Sequence, residues 1–80
     1  MDRRLHRFSE RLKELRNKQG WDQEELAQKL NTSKSNISFY ENMQRSPGYD
    51  MILKMADLFD ESTDYIMGVS DTQKLKKIAN

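Results

Sequence analysis

Apolar positions along the chain recur at helical spacing in five short stretches, and nowhere does a convincing alternation of apolar and polar residues mark a strand. From about Arg4 to Gln19 the residues Leu5, Phe8, Leu12 and Leu15 step by three or four. Arginine, lysine and glutamate fill most of the other positions, and Gly20 supplies the stop. Asp22 followed by Glu25 has the form of a capping box. Trp21 before the cap and Leu26 at the fourth helical position form a hydrophobic staple. This predicts a second helix from Gln23, with Leu26, Ala27 and Leu30 on one face, ending at Asn31 because asparagine tolerates the left-handed conformation.

Thr32 and Ser33 signal the start of a third helix, in which Ile37 and Tyr40 share a face. Helices this short are marginal in water, so the pair must be covered by the first helix. Past a loop from Met43 to Pro47, Gly48 caps a fourth helix with Tyr49, Ile52, Leu53, Ala56 and Phe59 as the expected buried face and Met55 beside it. Ser62 caps a short fifth helix holding Tyr65 and Ile66, closed by Gly68. The expected fold is all-α: five short helices in residues 1–68, followed by a tail, 69–80, that is helical or takes part in dimerisation.

Eighty residues, with 28 apolar and 27 charged side chains, make one small domain. A chain this size buries only about 60% of its unfolded surface and needs economical packing, covalent staples or a partner subunit. No cysteine is present, which removes disulfides and thiolate metal sites, and the single histidine, His6, cannot build a metal site alone, so no metal or cofactor is expected. His6 and the basic residues Arg3, Arg4, Arg7 and Arg11 read as a solvated face of the first helix. The five methionines, among them Met51, Met55 and Met67, read as core filler. The longest apolar run, Met51 to Leu53, is far too short for a bilayer, and the N-terminus has no apolar stretch behind its charges. A cytoplasmic protein without membrane contact is expected. No carboxylate pair, nucleophile with a base, or glycine-rich phosphate loop stands out, so neither an enzyme nor a small-molecule substrate is indicated.

Residues 23–42, QEELAQKLNTSKSNISFYEN, strongly resemble the helix-turn-helix of the Xre family, which includes the lambdoid phage repressors and Cro proteins. The lead-in ERLKELRNKQGW, the loop RSP, the stretch MILKMADLFD and the ending STDYIMG are similar to the corresponding parts of that family's five-helix, lambda-repressor-like domain. Asn31 stands where the family usually has glycine. Within the motif, Ala27 must be small because the two helices cross there; Leu26, Leu30 and Ile37 fill the wedge, and Tyr40 closes it.

The resemblance implies that the third helix lies in the major groove of double-stranded DNA while the second crosses the backbone. Carried over, the base-contacting residues are Ser33, Lys34, Ser35, Ser38 and Phe39. Lysine suits guanine O6 or N7, serine donates or accepts, and an apolar ring suits the thymine methyl. Phosphate contacts fall to Gln23, Asn42 and Arg45. Asp22 brings a negative charge to the same place. The resemblance further implies an Arg16–Glu41 bridge joining the first helix to the end of the recognition helix. Blander readings exist for each: Lys34, Gln23 and Arg45 as solvated side chains, Ser33 as a cap alone, Phe39 as a core or subunit contact.

The implied function is that of a sequence-specific transcriptional regulator, a repressor acting as a homodimer on a two-half-site operator, with the dimer surface on the last helices around Ile66, Met67 and the tail. Two alternatives keep the same fold. One is a DNA-binding antitoxin or phage-immunity regulator that also docks a protein, and the other is an interaction module without DNA binding. The formal net charge of +1 averages two unlike halves. Residues 1–45 carry ten basic and seven acidic side chains, and residues 46–80 carry four and six. The expected consequence is weak non-specific DNA affinity.

Overall fold

In the computed structural model, which describes residues 3–71, the chain forms α1 (Arg3–Gln19), α2 (Gln23–Lys29), α3 (Lys34–Glu41), α4 (Tyr49–Phe59) and α5 (Thr63–Met67). Among the described residues there is no strand. Each boundary has a local cause. Gly20 takes φ +78° after α1. Asp22 Oδ1 accepts from the Glu25 amide at 2.8 Å while Glu25 Oε1 accepts from the Asp22 amide at 2.9 Å, so the expected capping box is closed on both sides. Ser33 Oγ accepts from the Asn36 amide at 3.1 Å, and Ser62 Oγ from the Tyr65 amide at 3.0 Å. Gly68 ends α5 in the left-handed region.

The second helix stops earlier than its pattern predicts. It ends at Lys29 with Leu30 as its cap, and Asn31, at φ +56°, turns the chain so that the Thr32 amide reaches back to the Ala27 carbonyl at 2.9 Å. Asparagine thus does the work the family usually gives to glycine. Met43, at φ +61°, makes the equivalent turn after α3.

The core draws on all five helices: Phe8, Leu12 and Leu15 from α1, Leu26 and Ala27 from α2 with Leu30 at its cap, Ile37 and Tyr40 from α3, Ile52, Met55 and Phe59 from α4, and Tyr65 and Ile66 from α5. α2 packs on α3, α1 on both α3 and α5, and α4 on α5. Phe8 meets Tyr40 edge-on with centroids 5.9 Å apart.

Other expectations need correction too. The buried face of α4 is Ile52, Met55 and Phe59, whereas Tyr49 is 78% and Leu53 42% exposed. Asp50, Lys54 and Asp57 form a polar stripe opposite this face, and Tyr49 and Leu53 fall on the flank between the two. Of the methionines named above, Met55 is fully buried, Met51 is half-buried and Met67 lies near the surface. Ile66, at 1% exposure, is core and is unavailable to a dimer contact. Of the expected tail, residues 72–80 lie outside the described part.

Arg11 departs from the solvated face expected of it. Its side chain is only 12% exposed and lies over the Tyr65 ring at 3.8 Å. It donates to the carbonyls of Tyr65 at 3.0 Å and Ser70 at 3.2 Å, and pairs with Asp71 at 2.8 Å. α1 therefore fastens the segment that leaves α5.

Candidate nucleic-acid interface

The α2–α3 pair provides a rigid mount. Leu26, Ala27 and Ile37 are fully buried between and beneath the two helices, and the small Ala27 side chain lets the backbones approach. The eight-residue α3 is fixed at its start by the Ser33 cap and at its end by Glu41.

Glu41 is 3% exposed and fully engaged. Arg16 Nε donates to its Oε2 at 2.7 Å and Arg16 Nη2 to its Oε1 at 3.0 Å, a bidentate fork, while Arg16 Nη1 donates to the Trp21 carbonyl at 2.9 Å. Gln23 Nε2 donates to Glu41 Oε1 at 3.1 Å. One carboxylate thus ties α1, the start of α2 and the end of α3 together. Hydrogen bonding to Glu41 raises the Arg16 guanidinium above its ordinary range, with burial opposing and the charges of Glu41 and Asp22 adding.

With the mount fixed, the outward side chains fall into two adjacent rows on α3. Lys34, Ser38 and Asn42 follow one another at four-residue steps, and Ser35 and Phe39 form the second row. Ser33, Lys34, Ser35 and Asn42 are exposed; Ser38 and Phe39 are half-buried. Asn42 Nδ2 donates to Ser38 Oγ at 3.2 Å. Ser33 accepts the cap bond through its oxygen and keeps its hydroxyl hydrogen for another partner.

Arg45 reaches back from the loop. Its guanidinium carbon lies 4.7 Å from the Phe39 ring centre, and its Nη1 donates to Asn36 Oδ1 at 2.6 Å. Asn36 Nδ2 in turn donates to Thr32 Oγ1 at 2.9 Å and to Tyr40 Oη at 3.1 Å. Of the residues singled out from the sequence, Asn42 meets Ser38 and Arg45 meets Phe39 toward the far end of α3, Gln23 meets Glu41 from the start of α2, and Ser33, Lys34 and Ser35 stand exposed at the start of α3. Sequence reasoning missed Asn36, which reads locally as one more polar residue of α3. Its partner Arg45 lies nine residues away across a loop.

The helix-turn-helix family model matches residues 12–66, which span α2, α3 and most of the helices that brace them. The chain belongs to the Xre-like helix-turn-helix family. It is 45% identical over 67 residues to the HTH-type transcriptional regulator ImmR of Bacillus subtilis, covering 84% of this chain and 53% of that protein. It is 37% identical over 59 residues to the HTH-type transcriptional regulator AnsR of the same organism, covering 74% and 51%. The chain spans about half the length of these curated relatives. Among solved structures it is similar to the restriction-modification controller protein C.AhdI from Aeromonas hydrophila, at TM-score 0.71 and 34% identity over 78% of this chain and 94% of that one. Among the described residues no helix is long and apolar enough to cross a membrane, and no group of three or more His, Asp or Glu side chains gathers as a metal site.

Proposed function

We propose that this chain is the sequence-specific double-stranded DNA-binding domain of a transcriptional regulator, a repressor that occupies a two-half-site operator as a homodimer. The observation that carries the reading is the pair of rows on α3, Lys34–Ser38–Asn42 and Ser35–Phe39, presented outward by a helix whose two ends are both locked. In the groove, Lys34 reaches guanine acceptors, Ser33, Ser35 and Ser38 bond base edges, and Phe39 packs on a thymine methyl. Gln23, Asn42 and Arg45 hold flanking phosphates. Gln23 is set by Glu41 at the start of α2, and its side chain is the one assigned to the phosphate there.

Family membership and the regulators named among the relatives support a regulatory role. The homodimer follows from the number of contacts: one α3 reads only a few base pairs, too few to find a site among genomic competitors, whereas two copies about 34 Å apart double the reading. Tyr49, Leu53, Met67 and Val69 are the exposed large apolar side chains among the described residues, all on α4, α5 or just beyond. In this reading these side chains supply the dimer contact.

Selection of binding sites from random duplexes tests this reading. An enriched sequence with two-fold symmetry is expected. Recovery of no enriched sequence by folded protein would refute it and favour an interaction module that kept the fold.

A further inference from the structure

Asn36 is absent from the set of contact residues, yet its amide has an unusual number of fixed partners. Arginine can only donate, so the Asn36 atom facing Arg45 Nη1 at 2.6 Å is its carbonyl oxygen. The amide nitrogen then faces two hydroxyls, Thr32 Oγ1 at the entry to α3 and Tyr40 Oη at the core edge. Both amide hydrogens are used and the group cannot turn. The oxygen is therefore held in one direction, and Arg45 is held against it.

The second hold on Arg45 is the Phe39 ring, 4.7 Å below the guanidinium carbon. A guanidinium seated over a ring with one N–H fixed has less rotamer freedom to lose than a free exposed arginine, a residue type with much to lose. Its remaining N–H groups stay available in a rigid fork. An arginine ordered before binding loses less entropy when it meets an anion, so the same contact gives tighter association.

From this geometry we infer that Asn36 is a positioning residue for DNA binding: it sets Arg45 over Phe39 so that the guanidinium meets a backbone phosphate beside the groove in which α3 sits. The inference rests on the DNA-binding reading of α3 and adds to it a residue that touches no DNA. Phe39 thereby has a second use, as the seat of Arg45, beside the base contact proposed for it.

The test is a double-mutant cycle on the selected duplex, read as affinity against salt, with each variant's melting curve recorded so that all are compared while folded. Arg45→Ala is expected to weaken binding about tenfold and to reduce the slope of log affinity against log salt by about 0.9, one phosphate's worth. Asn36→Ala is expected to weaken binding several-fold with the slope unchanged, because the charge remains. In the Arg45→Ala background the same change is expected to have no further effect. Equal losses from Asn36→Ala in both backgrounds would overturn the inference, since the residue would then act through the fold alone. An unchanged slope on Arg45→Ala would overturn the phosphate contact. Where Asn36→Ala does not fold, Arg45→Lys decides: it keeps the charge but loses the guanidinium that Asn36 and Phe39 hold, and binding like the unaltered protein would overturn the proposed hold. In each of these failures the unaltered protein still binds the duplex. Absence of any selected duplex is instead the failure of the DNA-binding reading itself.

Discussion

Arg16 grips Glu41 through two hydrogen bonds of 2.7 and 3.0 Å, and the carboxylate so held also receives Gln23. The pair sits where α1, α2 and α3 meet, so it sets the angle at which α3 is presented as well as contributing to stability. Removing one partner leaves a buried charge uncompensated, a loss of about 3–5 kcal/mol by analogy with other buried pairs. Glu41→Ala is accordingly expected to lower unfolding free energy by about 3 kcal/mol in a urea titration. Replacing both partners together, Arg16→Met with Glu41→Leu, is expected to cost less than Glu41→Ala alone while still weakening DNA binding, since Gln23 loses its anchor. The raised Arg16 value makes this contribution fully present below arginine's ordinary range and lost only as pH rises through the higher folded-state value, so the bridge is expected to hold through neutral and mildly alkaline pH.

Asp22 is expected to trade DNA affinity for helix capping. Its side chain closes the box with Glu25 at the end of α2 assigned to phosphate. Asp22→Ser keeps a capping oxygen and removes the charge. Stability is expected to stay within about 0.5 kcal/mol, and affinity at low salt to rise several-fold, whereas Asp22→Ala should lose about 1 kcal/mol of stability. Thermal melting and a binding titration separate the two effects.

Two glycines with nearly the same backbone conformation are expected to respond differently to alanine. Gly20 takes φ +78° with open space around it, so Gly20→Ala should cost only the backbone preference, about 1 kcal/mol. At Gly68, φ +79°, an added Cβ would lie 2.6 Å from Arg7 Cβ and 3.1 Å from the Arg7 carbonyl carbon. Gly68→Ala is therefore expected to cost clearly more than Gly20→Ala, by about 1–3 kcal/mol, because α1 and α5 must separate. Equal losses in denaturant titrations would contradict the close approach.

The face of α4 can be read out directly. Ile52→Ala is expected to destabilise by about 2–4 kcal/mol, as for other buried isoleucines. Leu53→Ser, one position on, should change monomer stability by less than about 0.5 kcal/mol. If the exposed side of α4 joins two copies, Leu53→Ser should also raise the dimer dissociation constant measured by sedimentation equilibrium.

These contrasts mark where the sequence was informative. Caps are local, so Asp22, Ser33, Ser62 and Gly68 announced their helices and the structure put each where its chemistry required. α4 was read with too wide a buried face: Tyr49 and Leu53 lie on the flank between the polar stripe Asp50, Lys54 and Asp57 and the buried Ile52, Met55 and Phe59. Periodicity points to the buried side, and packing against α5 decides how much of the flank is covered. Arg11 read as one of several surface arginines because the Tyr65 ring and the Ser70 carbonyl reach it only when the chain closes. In the candidate site, the rows on α3 and the Arg16–Glu41 pair were legible through the family pattern. The Asn36–Arg45–Phe39 contacts were not, since they depend on how the loop after Met43 folds back.

In the proposed function α3 reads DNA through its outward rows. Substituting Lys34, Ser35 and Phe39 together by alanine leaves the core, both caps of α3 and the Arg16–Glu41 pair in place. The decisive measurement is the affinity of this folded triple variant for the selected duplex across a salt series, beside the unaltered protein. Discrimination between selected and scrambled duplex is expected to fall at least a hundredfold, at about 1–3 kcal/mol for each good base contact, leaving weak salt-dependent binding. Unchanged discrimination with unchanged salt dependence would contradict the claim.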